Sequence, residues 1–205
     1  MAAKRNPLKI AGQGMAIAAI AVSAVLLVFA TASVLVFAVG MGGALEQAHG
    51  EARKTRDRVN LHNISIGIML YVADEGGAYP DSLADLLDGG AYLDDPSVLL
   101  CPGDLTPGRL ADGAPCSYEY IGALPAMPPA QVIVAYTREG IFPDGRNVLR
   151  ADATIRWYGE QELSGPAGLL ADSYARVVTW LGDDLTEERD AELRSFYGIA
   201  AVQEE

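Results

Sequence analysis

The first pattern in the sequence is a long apolar run near its beginning. The run extends from Met15 to Val39, and Ser23, Thr31 and Ser33 are its only polar residues. A helix of about 20 apolar residues crosses the hydrocarbon core of a bilayer, so the run predicts a transmembrane helix in contact with membrane lipid. A cleaved signal peptide, with an apolar region of about 7–15 residues, and a buried core helix are the alternatives.

Positive charges flank this run on both sides. Lys4, Arg5 and Lys9 precede it, and four cations follow between Arg53 and Arg58. The positive-inside rule favours a cytoplasmic N-terminus, although the later cations make the difference small. The two cysteines considered below decide the orientation, because a disulfide between them requires an oxidising compartment. We therefore expect a single-pass protein of the inner membrane, with its C-terminal domain in the periplasm or otherwise outside the cytoplasm.

A helical pattern follows the apolar run. Gly40, Gly42 and Gly43 predict a weak point or bend, and residues 40–58 predict a polar juxtamembrane helix. Apolar residues then recur at spacings of three and four, which places them on one helix face. These residues are Leu61, Ile64, Ile68 and Tyr71. Gly76 and Gly77 predict the end of this helix near Asp74.

The rest of the chain alternates between turn signals and short elements. A short helix over Leu83 to Leu87, capped by Asp81 or Ser82, precedes an irregular stretch that reaches Cys116. Strands are predicted over residues 117–121, 131–136, 147–151 and 154–158, the last two as a hairpin. Helical spacing returns over residues 166–180, and Thr186 can cap a last helix.

This order of motifs resembles the type IV pilin and pseudopilin superfamily, and it looks most like the major pseudopilin of type II secretion. The likeness rests on residues 59–158: the helical stripe, Gly76-Gly-Ala-Tyr79-Pro80-Asp-Ser-Leu83-Ala-Asp-Leu86, Tyr92-Leu93-Asp-Asp-Pro96, Cys101-Pro102, Tyr118-Glu-Tyr120 and the strand pair that contains Trp157. The resemblance implies an α+β fold in which a long N-terminal helix packs on a small antiparallel sheet.

The chain departs from the family at its N-terminus. Gly14-Met15 imitates the prepilin cleavage step, but the fifth residue from Met15 is Ala19, and no Glu precedes Glu46. We therefore expect a pilin-like domain on an ordinary membrane anchor. The predicted organisation is a basic cytoplasmic N-terminus (1–14), a transmembrane helix (15–39), the polar helix (40–58), the pilin-like domain (59–160) and a C-terminal helical extension (161–205).

Two cysteines lie in the irregular loop. A disulfide between Cys101 and Cys116 would contribute roughly 3 kcal/mol by closing a loop of about 15 residues, and it would require an oxidising compartment. Two unrelated buried thiols are the alternative. Calcium is a further candidate because relatives of the major pseudopilin bind it, and turn formation is the alternative role for the loop aspartates. These are Asp94, Asp95, Asp104, Asp112, Asp144 and Asp152.

Charge and composition exclude several classes of function. All 27 acidic residues and all but three of the 15 basic residues follow the apolar run, so this part carries about −15. Nucleic-acid binding needs clustered cations, so we expect no nucleic-acid partner. His49 and His62 both fall on the predicted N-terminal helix, and no nucleophile or phosphate-loop motif occurs. We expect no catalytic residues and no cofactor.

Three hypotheses of function remain. The first is a membrane-anchored, non-catalytic pilin-like protein that acts by contact with a protein partner in the cell envelope or a secretion assembly. The second is a true pilin or pseudopilin subunit. The third is an anchored ligand-binding or enzymatic domain. The aromatic residues Tyr118, Tyr120, Tyr136, Trp157 and Tyr158 would form either a binding surface or the core and cross-strand pairs of the sheet, and the second interpretation is preferred.

Overall fold

A computed structural model describes the backbone of residues 7–164 and 168–199, and the side chains of residues 22–37, 43–164 and 168–199. The chain divides into two units, Met1–Glu51 and Ala52–Glu205. The second unit has an α+β fold, as the sequence predicts.

The long helix α1 extends over Pro7–Asp74. It continues through residues 40–43, where the sequence predicted a bend. It ends as expected, because Gly76 and Gly77 adopt φ values of +66° and +102° that only glycine tolerates well. The Gly77 amide donates to the Val72 carbonyl at 2.8 Å, which satisfies one of the last helical acceptors.

The expected membrane crossing is contradicted. Within the described residues, no helix combines the length and the apolarity that a bilayer crossing needs. Of the run at residues 15–39, the side chains of 15–21 and 38–39 lie outside the described residues. The transmembrane helix, the single-pass inner-membrane location and the anchored form of the α+β fold were therefore wrong expectations.

The main sheet has four antiparallel strands in the order β3-β4-β5-β6. Its strands are β3 (Tyr118–Tyr120), β4 (Ile133–Thr137), β5 (Gly145–Arg150) and β6 (Ile155–Gly159). A two-stranded hairpin of β1 (Gly108–Arg109) and β2 (Pro115–Cys116) interrupts the stretch that the sequence predicted to be irregular. The turn between β5 and β6 lies at Asp152-Ala153, as predicted, and Ala153 has φ +62°.

Short helices precede and follow the strands along the chain. A 3-10 helix over Leu83–Gly90 begins with the expected Ser82 cap, and Asp85 completes a capping box. The remaining elements are a 3-10 turn over Pro96–Leu99, α2 (Glu160–Leu163), α3 (Leu169–Leu181), a 3-10 turn over Gly182–Asp184 and α4 (Glu187–Tyr197). Thr186 caps α4, since its hydroxyl accepts the Arg189 amide at 3.2 Å. The first two residues of the predicted helix over 166–180 lie outside the described residues.

The C-terminal helices share one core with the sheet. Leu61 and Ile64 of α1, Leu149 of β5 and Leu193 of α4 are all within 1% of complete burial. The buried hydroxyl of Tyr197 donates to the Ile133 carbonyl at 2.8 Å. The C-terminal extension therefore packs as part of the Ala52–Glu205 unit.

Candidate functional site

One face of α1 carries apolar side chains that nothing in the described structure covers. In the second unit, exposed positions recur in alternating steps of three and four, the spacing of a coiled-coil seam. They are Ala52, Thr55, Val59, His62, Ile66, Met69 and Ala73, here called the outer seam. Val59 is 51% exposed, Ile66 44% and Met69 60%. Leu70, beside the seam, is 49% exposed, so the apolar surface is wider than the seam itself.

The opposite face of the same helix is packed against the domain. Leu61, Ile64 and Ile68 are almost completely buried there. Because a residue turns by about 100° per position in an α-helix, these residues lie across the helix axis from Val59 and Ile66. The helix therefore has two apolar faces, of which only one is covered within the chain.

Asp57 fixes the orientation of α1 about its own axis, and so determines which face of the helix contacts the sheet. Its side chain is fully buried and accepts three hydrogen bonds, one from each of three strands. The hydroxyl of Tyr118 donates to Oδ1 at 2.9 Å, while Thr137 Oγ1 and Asn147 Nδ2 each donate to Oδ2 at 2.7 Å. Burial, with the charge of Asp57, raises the pKa of Tyr118, so its hydroxyl remains a donor. This cluster fixes which face of α1 points outward.

The sequence interpretation missed Asp57. It assigned this part of the chain to a helix that is polar all round, because charged residues surround Asp57. The spacing of residues along the helix does place Asp57 on the buried face. It precedes Leu61, Ile64 and Ile68 at steps of four, three and four residues. Asn60, one position before Leu61, makes a second polar contact of this face, and its Nδ2 donates to the Leu100 carbonyl at 2.8 Å.

The two cysteines are not bonded to each other. Cys101 and Cys116 are free and buried, which contradicts the expected disulfide and removes the argument for an oxidising compartment. Cys116 Sγ instead contacts the backbone of Tyr118, accepting from its amide at 3.4 Å and donating to its carbonyl at 3.5 Å. Burial raises the pKa of the Cys116 thiol to about 11, and burial also raises that of Cys101. Both thiols are therefore poor nucleophiles.

The loop that the disulfide was expected to hold is ordered by other contacts. Asp104 accepts the Thr106 amide at 2.9 Å and Asp112 accepts the Ala114 amide at 2.9 Å, each closing a tight turn. Arg138 donates to the Thr106 carbonyl at 3.2 Å. A loop with these contacts and a β-hairpin needs no covalent bridge.

The aspartates considered for calcium have local roles. Asp152 accepts from Thr154 in the same manner as Asp104 and Asp112, and Asp95 caps a 3-10 turn. Asp144 pairs with Lys54 at 2.5 Å, whereas Asp94 is an exposed residue. No group of three or more His, Cys, Asp or Glu side chains within the described residues could hold a metal ion. A calcium site therefore stays a prediction without a ligand set.

A cleft of about 740 Å³ lies beside β4, β5 and α4. Tyr136 and Phe196 form part of its wall, and Glu139 lies at its exposed edge. Arg146 is buried there and pairs with Glu160 through two hydrogen bonds, one of them from Nε to Oε2 at 3.0 Å. This pairing lowers the pKa of Glu160. The buried guanidinium is thus already neutralised, and sequence reasoning did not identify the pair.

The remaining candidate residues do not meet in one place. His49 and His62 are exposed on α1, and His62 is a position of the outer seam. Of the aromatic set, Tyr118 and Tyr136 are buried in the sheet, as preferred from the sequence. Tyr120, Trp157 and Tyr158 are partly buried and pack against the same core.

Comparison with protein-family models, with curated proteins and with solved structures found no significant match. The pilin resemblance therefore rests on the motifs of the chain alone and stays a prediction.

Proposed function

We propose that this protein acts by protein–protein contact, as a non-catalytic subunit of an assembly, and that the outer seam is its docking surface. The observation that carries the proposal is the exposure of Val59, Ile66 and Met69 at coiled-coil spacing on a helix whose other face is already packed. A contiguous apolar surface on a folded domain is typical of a surface that a partner covers.

The energy of covering the seam is modest. Complete burial of a Val, Ile or Met side chain contributes about 1.5–3 kcal/mol, so burying the exposed half of each contributes about 1 kcal/mol. The three seam residues then supply about 3 kcal/mol, and a matched partner supplies a similar amount. Association costs about 4–15 kcal/mol, so the seam alone supports weak, reversible contact.

The first unit offers further apolar surface of the same kind. Its described large side chains between residues 22 and 37 are all more than half exposed, from Val25 at 54% to Val36 at 73%. Polar side chains in this stretch bond to their own helix, as Ser33 does to the Phe29 carbonyl at 2.8 Å. Burial of this surface in an assembly would add to the contribution of the outer seam.

The chemistry of the described residues supports a non-catalytic role. Both histidines are exposed on α1, and both thiols have raised pKa values. The resemblance to pilins is consistent with this proposal. When pilins assemble into a filament, their N-terminal helices leave the bilayer and replace lipid contacts by contacts with neighbouring subunits. A true pseudopilin subunit is the narrower form of the same proposal.

The experiment is size analysis of complexes that are chemically crosslinked in cells producing the full chain, because weak complexes dissociate when an extract is diluted. We expect the wild type to elute in complexes larger than a monomer. Ile66→Glu places a charge in the middle of the seam and should shift the protein to the monomer position. Gln161→Glu, which adds the same charge at an exposed residue of α2, should not. Equal elution of the two variants would refute the proposal.

A second candidate function is ligand binding in the cleft. The observation that favours it is a volume of about 740 Å³, which suits a small molecule. Glu119 and Glu139 line this cleft and have only long ion pairs, with Arg138 at 3.6 Å and Arg146 at 3.9 Å. Arg146 is paired more closely with Glu160, so a cationic ligand fits best. Titration with free arginine, monitored by NMR, would show saturable shifts that Glu139→Gln weakens. No shift at millimolar arginine would exclude this class of ligand.

A further inference from the structure

We infer that the cation held in the cleft beside β4, β5 and α4 is a guanidinium group, as in an arginine side chain, in preference to an ammonium group. This inference rests on the second candidate function, because it names the ligand class of the same cleft.

Three separate elements bring negative potential to the cleft. Glu119 belongs to β3, and Glu139 follows the end of β4. The third element is the C-terminal end of α4, since Ser195 of its last turn also lines the cleft. The aligned peptide dipoles of a helix place about half a negative charge at this end. Arg194, the basic residue of that turn, is paired with Asp190 at 2.6 Å.

The two carboxylates of the cleft are accessible to a ligand. Glu139 lies 3.9 Å from Arg146 and Glu119 lies 3.6 Å from Arg138, whereas a charge-assisted hydrogen bond spans about 2.7–2.9 Å. The side chain of Glu139 is 80% exposed and that of Glu119 is 50% exposed. Arg146 makes its close pair with Glu160, so it competes only weakly for Glu139.

The wall of the cleft suits a flat cation. Tyr136 and Phe196 line it, with ring centroids 5.1 Å apart. Arg146 shows how this wall receives a guanidinium, because its Cζ lies over the Tyr136 ring at 5.4 Å from the centroid while Nε donates to Glu160. A planar guanidinium stacks on an aromatic face and still directs its N–H donors towards acceptors at its edge. Phe196 is only partly buried and offers the second ring to a ligand.

The number of acceptors also favours a guanidinium. This group carries five N–H donors in one plane, whereas an ammonium carries three and is more strongly hydrated. Besides the two carboxylates, the hydroxyls of Ser164 and Ser195 line the cleft, so the acceptors exceed what one ammonium can use. The volume of about 740 Å³ also accommodates the chain that carries the guanidinium.

Binding of two blocked amino acids to the full chain tests the preference. N-acetyl-arginine amide and N-acetyl-lysine amide carry the same single charge, and each is titrated by NMR. We expect the arginine compound to bind at least about threefold more tightly, and Glu139→Gln to weaken both several-fold. Glu188→Gln, which removes an exposed carboxylate at the opposite end of α4, should change neither. Equal or tighter binding of the lysine compound would overturn the inference.

The variant Phe196→Leu tests the aromatic contribution separately. Loss of a cation–π contact at an exposed site lowers affinity about two- to fivefold, and the loss should be larger for the arginine compound. Equal losses for the two compounds would count against stacking on this ring. The comparison on the wild type decides the inference whether or not this variant folds.

Two outcomes separate this inference from the function on which it rests. If both compounds bind equally and Glu139→Gln weakens both, the cleft binds cations without preference, and only this inference fails. If neither compound shifts a signal at millimolar concentration, the cationic-ligand function fails as well. Free arginine identifies the source of the group: tighter binding of the blocked compound assigns it to a peptide chain, and tighter binding of free arginine to a small molecule. The inference holds in either case.

Discussion

Replacement of Asp57 should test how α1 is held against the sheet. In Asp57→Ala, the hydroxyl of Tyr118 loses its buried acceptor. Thr137 and Asn147 each lose one of two acceptors, since the Thr137 hydroxyl also lies 3.4 Å from the Asn147 carbonyl and Asn147 Nδ2 also donates to the Lys54 carbonyl. A buried polar group without a partner costs about 1–3 kcal/mol. One such group, with a partial loss at two others, gives about 2–4 kcal/mol.

The expected shift in melting temperature follows from the size of the chain. For proteins of 150–250 residues, 1 kcal/mol corresponds to about 2–4 °C, so Asp57→Ala should melt about 10 °C below the wild type. Asp57→Asn keeps one acceptor oxygen and should lose less. Glu46→Ala removes an exposed carboxylate from the same helix and is the matched control. Thermal unfolding of the full chain, followed by near-ultraviolet circular dichroism, measures all three. An Asp57→Ala protein that melts within about 2 °C of the wild type would refute this account of the cluster.

Two other predictions concern buried groups. Both cysteines should resist a thiol reagent in the native protein and react fully after denaturation without a reductant. The absence of any reactive thiol after denaturation would show that the two are bonded to each other. Because Arg146 lowers the pKa of Glu160 below the ordinary 4.5, this pair stabilises the fold above pH 4.5, and its contribution is lost as the pH falls through the lower folded value. The difference in unfolding free energy between wild type and Glu160→Gln should therefore be constant near neutral pH and shrink below pH 4.5. A difference independent of pH would contradict the pairing.

Elements with strong local signals were predictable from the sequence. The end of α1 at the Gly76-Gly77 pair and the Ser82 cap depend only on a few neighbouring residues. The β5–β6 hairpin and the Thr186 cap of α4 are of the same kind. Glycine conformation and side-chain capping depend on residues within about one turn of the chain. The local sequence is therefore enough to predict these features.

Features that depend on distant contacts were not predictable in the same way. Asp57 is separated from Asn147 by 90 positions in the chain, and its charged neighbours suggested a solvated helix. The loop before β3 was read as irregular and in need of a disulfide, but Arg138 and the turns at Asp104 and Asp112 order it. The apolar run suggested a transmembrane helix. Composition alone does not distinguish an apolar helix in lipid from one that contacts protein.

The central claim is that the outer seam of α1 is an interaction surface, and position-specific photo-crosslinking in cells tests it most directly. A photoreactive amino acid is placed in turn at each exposed position of α1 from residue 52 to 73, and at Gln161 as a control outside the helix. The account predicts covalent adducts at Val59, His62, Ile66 and Met69, weak adducts between them, and none at Gln161. Adducts that show no three-and-four periodicity, or no adducts at the seam positions, would contradict it.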